Sequence, residues 1–331
     1  MKKISVAVAY PTIPIIFLGG INPDRTPLYD TMGLAVTSLN ESTRTETSIE
    51  ILNEKVKGSP ITDFYLGEKK ISGLRGEQII ASIKTFMKNN DLAADLEIHS
   101  ANYEIFSGSS DSGLAALFTA LNDVFCLNYN NEELLKYTMK GSESAGRSLI
   151  GGLTLTQVSK KPLSVTQLAS EEVLKSIKLF SIPFHYNTRL SADEIHSGIV
   201  TNPLFNERKQ MIPVWISKIK EAIEKSSYLQ LLETAEENIR NAHELLEGVG
   251  LAVRKPMMLG LCKDIEKIRN KGIYCYYLIG GGNLVTVATI DQYAKDVSLF
   301  LKEKGWKFYD FKVAGAPKIV SKMKRNDNFT E

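Results

Sequence analysis

Apolar and small polar residues alternate from Ile4 to Ala9, and a second apolar run extends from Ile13 to Leu18 before Gly19 and Gly20. A period of two predicts strands over 4–9 and 13–18. Residues 33–37 and 47–52 read as two more strands, and the polar 40–46 stretch between them makes them a candidate hairpin. Helical spacing appears over 78–89, 112–125 and 132–140, with a short strand at 96–100. Residues 153–158 alternate again and are followed by a polar stretch, 159–170. Residues 179–185 are strand-like. From 193 to 247 the pattern is helical, with long amphipathic segments over 212–224 and 229–246. Two apolar strands, 273–279 and 284–289, flank Gly280, Gly281, Gly282 and Asn283; a helix over 291–304 and a strand over 306–313 follow. There is no internal repeat. The sum is a mixed α+β chain with antiparallel hairpins rather than a βαβ alternation. The polar stretch is the expected division between residues 1–165 and 166–331.

Composition narrows the class. The chain has 331 residues, 43% apolar and 24% charged, enough to bury one large core or two ordinary ones. A formal net charge of +2 argues for neither nucleic acid nor a membrane surface as partner. No apolar stretch is long enough to span a bilayer. The first twenty residues faintly resemble a secretory leader, but Pro11 and Pro14 break the apolar run and no A-x-A pattern follows. Cys126, Cys262 and Cys275 are widely spaced and form no CxxC pair, so a reducing cytoplasm is the expected location. The four histidines lack metal-ligand spacing and are expected to be structural; His196, seven residues past Arg189, lies nearest to candidate chemistry.

Three stretches carry that chemistry. Ser107, Gly108, Ser109, Ser110, Asp111 and Ser112 lead into an Ala-rich helix start. Small side chains let the backbone approach an anion, and first-turn N–H groups point at it. The same residues also suit a plain helix cap. Gly141 to Ser148 (GSESAGRS) mimics a Walker A loop with Arg147 in place of lysine. The residues before it are charged and helical, so a P-loop is not expected. A guanidinium in a polar loop grips a carboxylate bidentately, unless it is simply a surface arginine. Arg189, just before a helix, is a solvated charge unless a transferable phosphate lies nearby. Gly280 to Gly282 serve either a turn needing positive φ or close approach of a ligand.

Taken together, Ala9-Tyr10-Pro11-Thr12-Ile13, the Ser107 to Gly113 loop and GSESAGRSLIGG resemble the GHMP kinase superfamily. Within it they resemble the diphosphomevalonate decarboxylases and, more nearly, the archaeal mevalonate 3-kinases. The resemblance implies the GHMP kinase fold: an S5-like N-terminal domain, a ferredoxin-like C-terminal domain and an active-site cleft between them. It also implies a homodimer.

The departures from the decarboxylase pattern are informative. The position of that family's lysine holds Phe17, and the position of its aspartate holds Ile279. The loop that holds the substrate diphosphate reads Gly141, Ser142, Glu143, Ser144, placing a carboxylate where a dianionic tail would sit. The resemblance therefore implies ATP-dependent phosphorylation of the 3-hydroxyl of (R)-mevalonate without decarboxylation, in isoprenoid biosynthesis. Ser107, Gly108, Ser109, Ser110, Asp111 and Ser112 would cradle the ATP phosphates, with Ser110 at Mg2+. Arg147 would hold the substrate carboxylate, and Glu143 would meet the 5-hydroxyl and orient Arg189. Arg189 would neutralise the transferring phosphoryl group. Thr12, Leu18, Ser142 and Ser144 would complete the substrate pocket. A phosphorylated-mevalonate decarboxylase and a non-catalytic nucleotide- or isoprenoid-binding relative are the alternatives.

Overall fold

The computed structural model describes residues 2–54 and 62–320. The first half contains β1 (Ile4–Ala9), β2 (Thr12–Ile16), β3 (Thr31–Ser38), β4 (Arg44–Glu54), β5 (Thr62–Leu66), β6 (Lys69–Lys70), α1 (Gly73–Asn89) and β7 (Ala94–Tyr103). Then come α2 (Ser109–Val124), α3 (Asn131–Gly141), α4 (Ala145–Ile150), β8 (Leu153–Gln157) and β9 (Ser164–Ala169). The second half contains β10 (Ile177–Pro183), α5 (Ala192–Ile199), α6 (Phe205–Glu224), α7 (Tyr228–Gly248) and α8 (Pro256–Arg269). It closes with β11 (Tyr276–Ile279), β12 (Leu284–Ile290), α9 (Asp291–Glu303), β13 (Tyr309–Val313) and β14 (Lys318–Val320).

Among the described residues these strands make two sheets. The first runs β14-β1-β4-β7-β5-β6 and is antiparallel except for β5 on β7. The second runs β11-β12-β10-β13-β3-β8-β9, with β2 also on β3. Helix α2 buries Leu114, Ala115, Leu117, Phe118 and Leu121 against the first sheet, where Phe86, Phe118 and Tyr137 pack ring on ring. Helices α6 and α7 cover the second sheet over a core of Trp215, Ile219, Leu232, Ile239 and Leu246. No helix among the described residues is long and apolar enough to cross a membrane.

The predicted hairpin of 33–37 with 47–52 does not form. Strand β3 belongs to the second sheet and β4 to the first. All eight residues of β3 are buried, and its hydrogen bonds go to β2, β8 and β13. The polar turn redirects the chain between sheets: Thr37 Oγ1 donates to Thr43 O at 2.9 Å, and Thr43 N–H donates to Ser38 Oγ at 3.0 Å. Local alternation records which residues are buried, not which strand pairs with which. The polar stretch 159–170 contains β9, which the sequence pattern does not show. We keep the division at residue 165 as a proposal about chain organisation; β9 crosses it, and the larger sheet draws on both halves.

Strand β2 stops at Ile16, two residues short of the predicted end, and residues 17–20 run on without a strand partner. Side chains take their backbone groups instead. Phe17 N–H donates to Asn238 Oδ1 at 2.8 Å, and Phe17 O accepts from Tyr29 Oη at 3.1 Å and from Arg208 Nη2 at 3.4 Å. Gly19 N–H donates to Tyr29 Oη at 2.9 Å and Gly20 N–H to His196 Nδ1 at 3.3 Å. Arg208 is 1% exposed. No carboxylate pairs with it among the described residues; it donates to carbonyl and amide oxygens and to the Tyr29 hydroxyl, and lies over the rings of Tyr29 and Trp215.

His243, on α7 behind Phe17, meets the Phe17 ring edge-on with centroids 5.3 Å apart. Burial pushes its pKa down to about 3, reinforced by the positive Arg254 and Arg208 and only partly opposed by the Gly280 backbone. Below the ordinary histidine range the unfolded chain takes up a proton that the folded chain refuses, so stability falls as pH drops from about 6.5 towards 3. His243→Leu should remove that slope, giving a stability gain over the native chain of about 3 kcal/mol near pH 4. Urea unfolding of both proteins at neutral and acid pH measures it; parallel pH profiles would contradict the assignment.

Candidate active site

One cleft gathers most of the residues singled out in the sequence. Thr12, Leu18, Ser107, Gly108, Ser110, Asp111, Glu143, Ser144, Arg147 and Arg189 all line it, beside Phe17, His196, Gly280 and Gly281. Its floor is the start of α2. Gly108, the N-cap, has φ +77°, and a Cβ there would come within 2.9 Å of Thr12 O. Only glycine fits a left-handed residue pressed against another backbone. The helix begins at Ser109, three residues before the predicted start, so the amides of Ser109 and Ser110 sit in its first turn, where no intrahelical acceptor is available.

Asp111 is the buried tie of this corner. Its carboxylate accepts from Thr12 Oγ1 at 2.5 Å, Ser144 Oγ at 2.5 Å and Ser142 Oγ at 3.2 Å. Burial raises its pKa, while the hydrogen bonds from Ser144 and Thr12 and the charge of Arg147 pull the other way. The hydroxyls of Thr12, Ser142 and Ser144 are thus committed to Asp111. Ser112, expected in the phosphate cradle, is instead fully buried, with its hydroxyl 2.7 Å from Thr45 Oγ1.

Arg147 stands at the cleft's inner wall on α4, 4% exposed, with Nε and Nη2 lacking any hydrogen-bond partner. Burial lowers its pKa, and the nearby Asp111 and Glu143 charges counter that. A guanidinium stays charged under such conditions, and two of its donors have no partner among the described residues. Gly33 makes room for it: a Cβ there would lie 2.4 Å from Arg147 Cδ.

Glu143 lies close by. Burial opposes its charge, but a hydrogen bond from His196 and the positive Arg25 outweigh it and hold the carboxyl at about 2. His196 Nε2 is 3.0 Å from Oε1; Arg25 donates to Oε2 from Nη2 at 3.0 Å and from Nε at 3.3 Å. The expected Glu143–Arg189 contact is absent, because these two partners already occupy the carboxylate. Arg189 is exposed on the loop between β10 and α5, with no hydrogen bond or ion pair among the described residues. Its Cζ lies 3.7 Å from where a Gly282 Cβ would be. Gly280, Gly281 and Gly282 join β11 to β12 without positive φ. A Cβ on Gly282 would meet Ser107 Oγ at 2.9 Å, a close approach by a protein side chain.

A second, apolar pocket lies on the other side of the α2 start, lined by Phe64, Leu66, Ile71, Ile79, Leu114 and Leu117, and it meets the first at Ser110. Sequence patterning missed it because β5 and β6 are too short to show alternation. It also missed Arg25, whose partner is 118 residues away, and Gly33. A lone glycine inside a strand pattern was the available signal for Gly33.

The site thus sets a helix N-terminus opened by glycine beside a buried guanidinium with two unpartnered donors, a layout that suits an enzyme moving a phosphoryl group onto a small acid. Residues 9–167 match the family model of the diphosphomevalonate decarboxylase-like N-terminal domain, and residues 190–295 that of the mevalonate-3-kinase C-terminal domain. The mevalonate 3-kinase of Thermoplasma acidophilum is 30% identical over 85% of this chain and 87% of its own. The mevalonate-3-kinase of Picrophilus torridus is 29% identical over 95% and 97%. The crystal structure of the Thermoplasma acidophilum enzyme with mevalonate 3-phosphate and ADP superposes with a TM-score of 0.84, at 27% identity, over 97% of this chain and 99% of that one. The chain belongs to the mevalonate 3-kinase family and has the two-domain GHMP kinase fold.

Proposed function

We propose that this protein transfers the γ-phosphoryl group of ATP to the 3-hydroxyl of (R)-mevalonate and releases mevalonate 3-phosphate with its carboxylate intact. The observation that carries this reading is the charge layout of the cleft: a free guanidinium at Arg147 beside the held carboxylate of Glu143. That layout suits a substrate with a carboxylate at one end and a neutral hydroxyl at the other. A phosphorylated tail would meet Glu143 charge against charge.

In this reading the amides of Gly108, Ser109 and Ser110 and the hydroxyl of Ser107 receive the ATP phosphates, and the apolar pocket beyond Ser110 takes the base. Ser110 is the protein ligand in this reading for Mg2+, which would supply charge neutralisation at the phosphates. Arg147 grips the substrate carboxylate, and Thr12 and Leu18 shape the pocket around the carbon chain. The 3-hydroxyl oxygen bonds to the γ-phosphorus as the bond to ADP breaks, and its proton leaves to water. Phe17 and Ile279 are buried in one apolar cluster and offer neither acid nor base. Nothing at those positions drives loss of phosphate and CO2, whereas phosphoryl transfer needs chiefly positioning and charge stabilisation.

Incubation with ATP and mevalonate, with phosphorus and proton NMR of the product, tests this. The expected result is ADP and mevalonate 3-phosphate with no CO2; an alkene product or phosphate on the 5-oxygen overturns it. Glu143→Gln should narrow the preference for mevalonate over its 5-phosphate by about tenfold, since it removes a fixed like charge. Competition kinetics measure that ratio, and an unchanged ratio removes Glu143 from tail recognition.

A further inference from the structure

We propose that His196 is a positioning residue that sets substrate specificity by presenting Glu143 as an anion to the substrate tail; this deepens the reading above and rests on it. Helix α5 begins with a complete capping box, in which Ser191 and Glu194 satisfy each other's backbone N–H. That fixes the helix, and His196, buried on it, bridges two walls of the cleft. Gly20 N–H donates to Nδ1 at 3.3 Å, and Nε2 lies 3.0 Å from Glu143 Oε1.

These two contacts define the ring chemically. A nitrogen that accepts an N–H carries a lone pair, so the proton sits on Nε2 and points at Glu143. Nε2 therefore donates to Glu143 Oε1 and orients the carboxylate, whose other oxygen is paired with Arg25.

The other charges around Glu143 come from four elements. Arg25, on the loop before β3, pairs with Glu143 and also with Asp193 on α5 at 3.4 Å. Arg147 on α4 and Asp111 on α2 face it across the cleft. Arg25 is therefore divided between two carboxylates, and His196 holds the Glu143 oxygen that Arg25 does not. Without His196, Glu143 Oε1 loses the contact that fixes its orientation.

Two variants separate positioning from mere packing. His196→Gln keeps a neutral donor and an acceptor; its mevalonate KM and its preference over mevalonate 5-phosphate should stay within about threefold of the native enzyme. His196→Leu keeps the bulk and loses both contacts. It should raise mevalonate KM about tenfold, change kcat less than threefold and narrow the preference by about tenfold. Equal losses in both variants, or an unchanged Leu variant, overturn the proposal. Nitrogen-15 NMR of labelled histidine in the substrate-free protein reads the same point without turnover. The Nε2–H tautomer at neutral pH is expected, and an Nδ1–H or doubly protonated ring overturns it. A native enzyme with the expected tautomer but no activity on mevalonate would instead fault the function, not the hold on Glu143.

Discussion

Arg189→Ala should lower kcat by about a thousandfold, with mevalonate KM changed only a few-fold. An arginine that neutralises a transferring phosphoryl group acts on the transition state more than on bound substrate, so its loss appears in turnover. The surroundings fit that role. Arg189 is exposed on the cleft rim, tied to nothing among the described residues, and stands beside Gly282 next to Ser107. Other arginines of the chain are paired, Arg44 with Glu46, Arg254 with Glu247 and Arg269 with Glu236. Single-turnover kinetics with the Ala variant isolate the transfer step. Near-native transfer would remove Arg189 from the chemistry.

The second large effect combines a loss with a gain. Arg147→Met should raise mevalonate KM by a hundredfold or more, the value of about two charge-assisted hydrogen bonds. The same variant should be at least as stable as the native chain. A buried guanidinium with two unpaired donors is only partly compensated by the nearby Asp111 and Glu143 charges, and an apolar side chain of similar length removes its desolvation cost. Thermal unfolding and steady-state kinetics on one preparation test both halves. A variant that is destabilised and still binds mevalonate normally would make Arg147 a structural residue.

Helix α2, the loop before it and the GSESAGRS segment were legible because each is a local pattern. Small residues before an apolar helix mark an N-terminus whether or not an anion binds there. The absences at Phe17 and Ile279 were legible only by resemblance, since an apolar residue in an apolar run carries no signal of its own. Partnership was not legible. The pairing of Glu143 with His196 and Arg25, rather than with Arg189, depends on where α5 docks and on a loop more than a hundred residues earlier in the chain. Ser112 and Ser142 read like ligand serines but point into the protein, because sequence shows a hydroxyl and not its direction. The false hairpin has the same origin: β3 is as apolar as a hairpin strand, yet its neighbours come from β2, β8 and β13.

The buried Arg208 makes a lysine at position 17 hard to accommodate. It anchors the carbonyl of Phe17 from behind, and its charge, with that of Arg254, already suppresses protonation of the adjoining His243. A lysine introduced at position 17 would enter a wall where, among the described residues, the Arg208 cation has no carboxylate partner. It would lose its proton or push the segment out of place. Exchanging only Phe17 and Ile279 for the decarboxylase pair therefore meets resistance from a residue in the supporting wall, outside the cleft lining. The path between the two activities runs through the supporting wall as well as the two reacting positions.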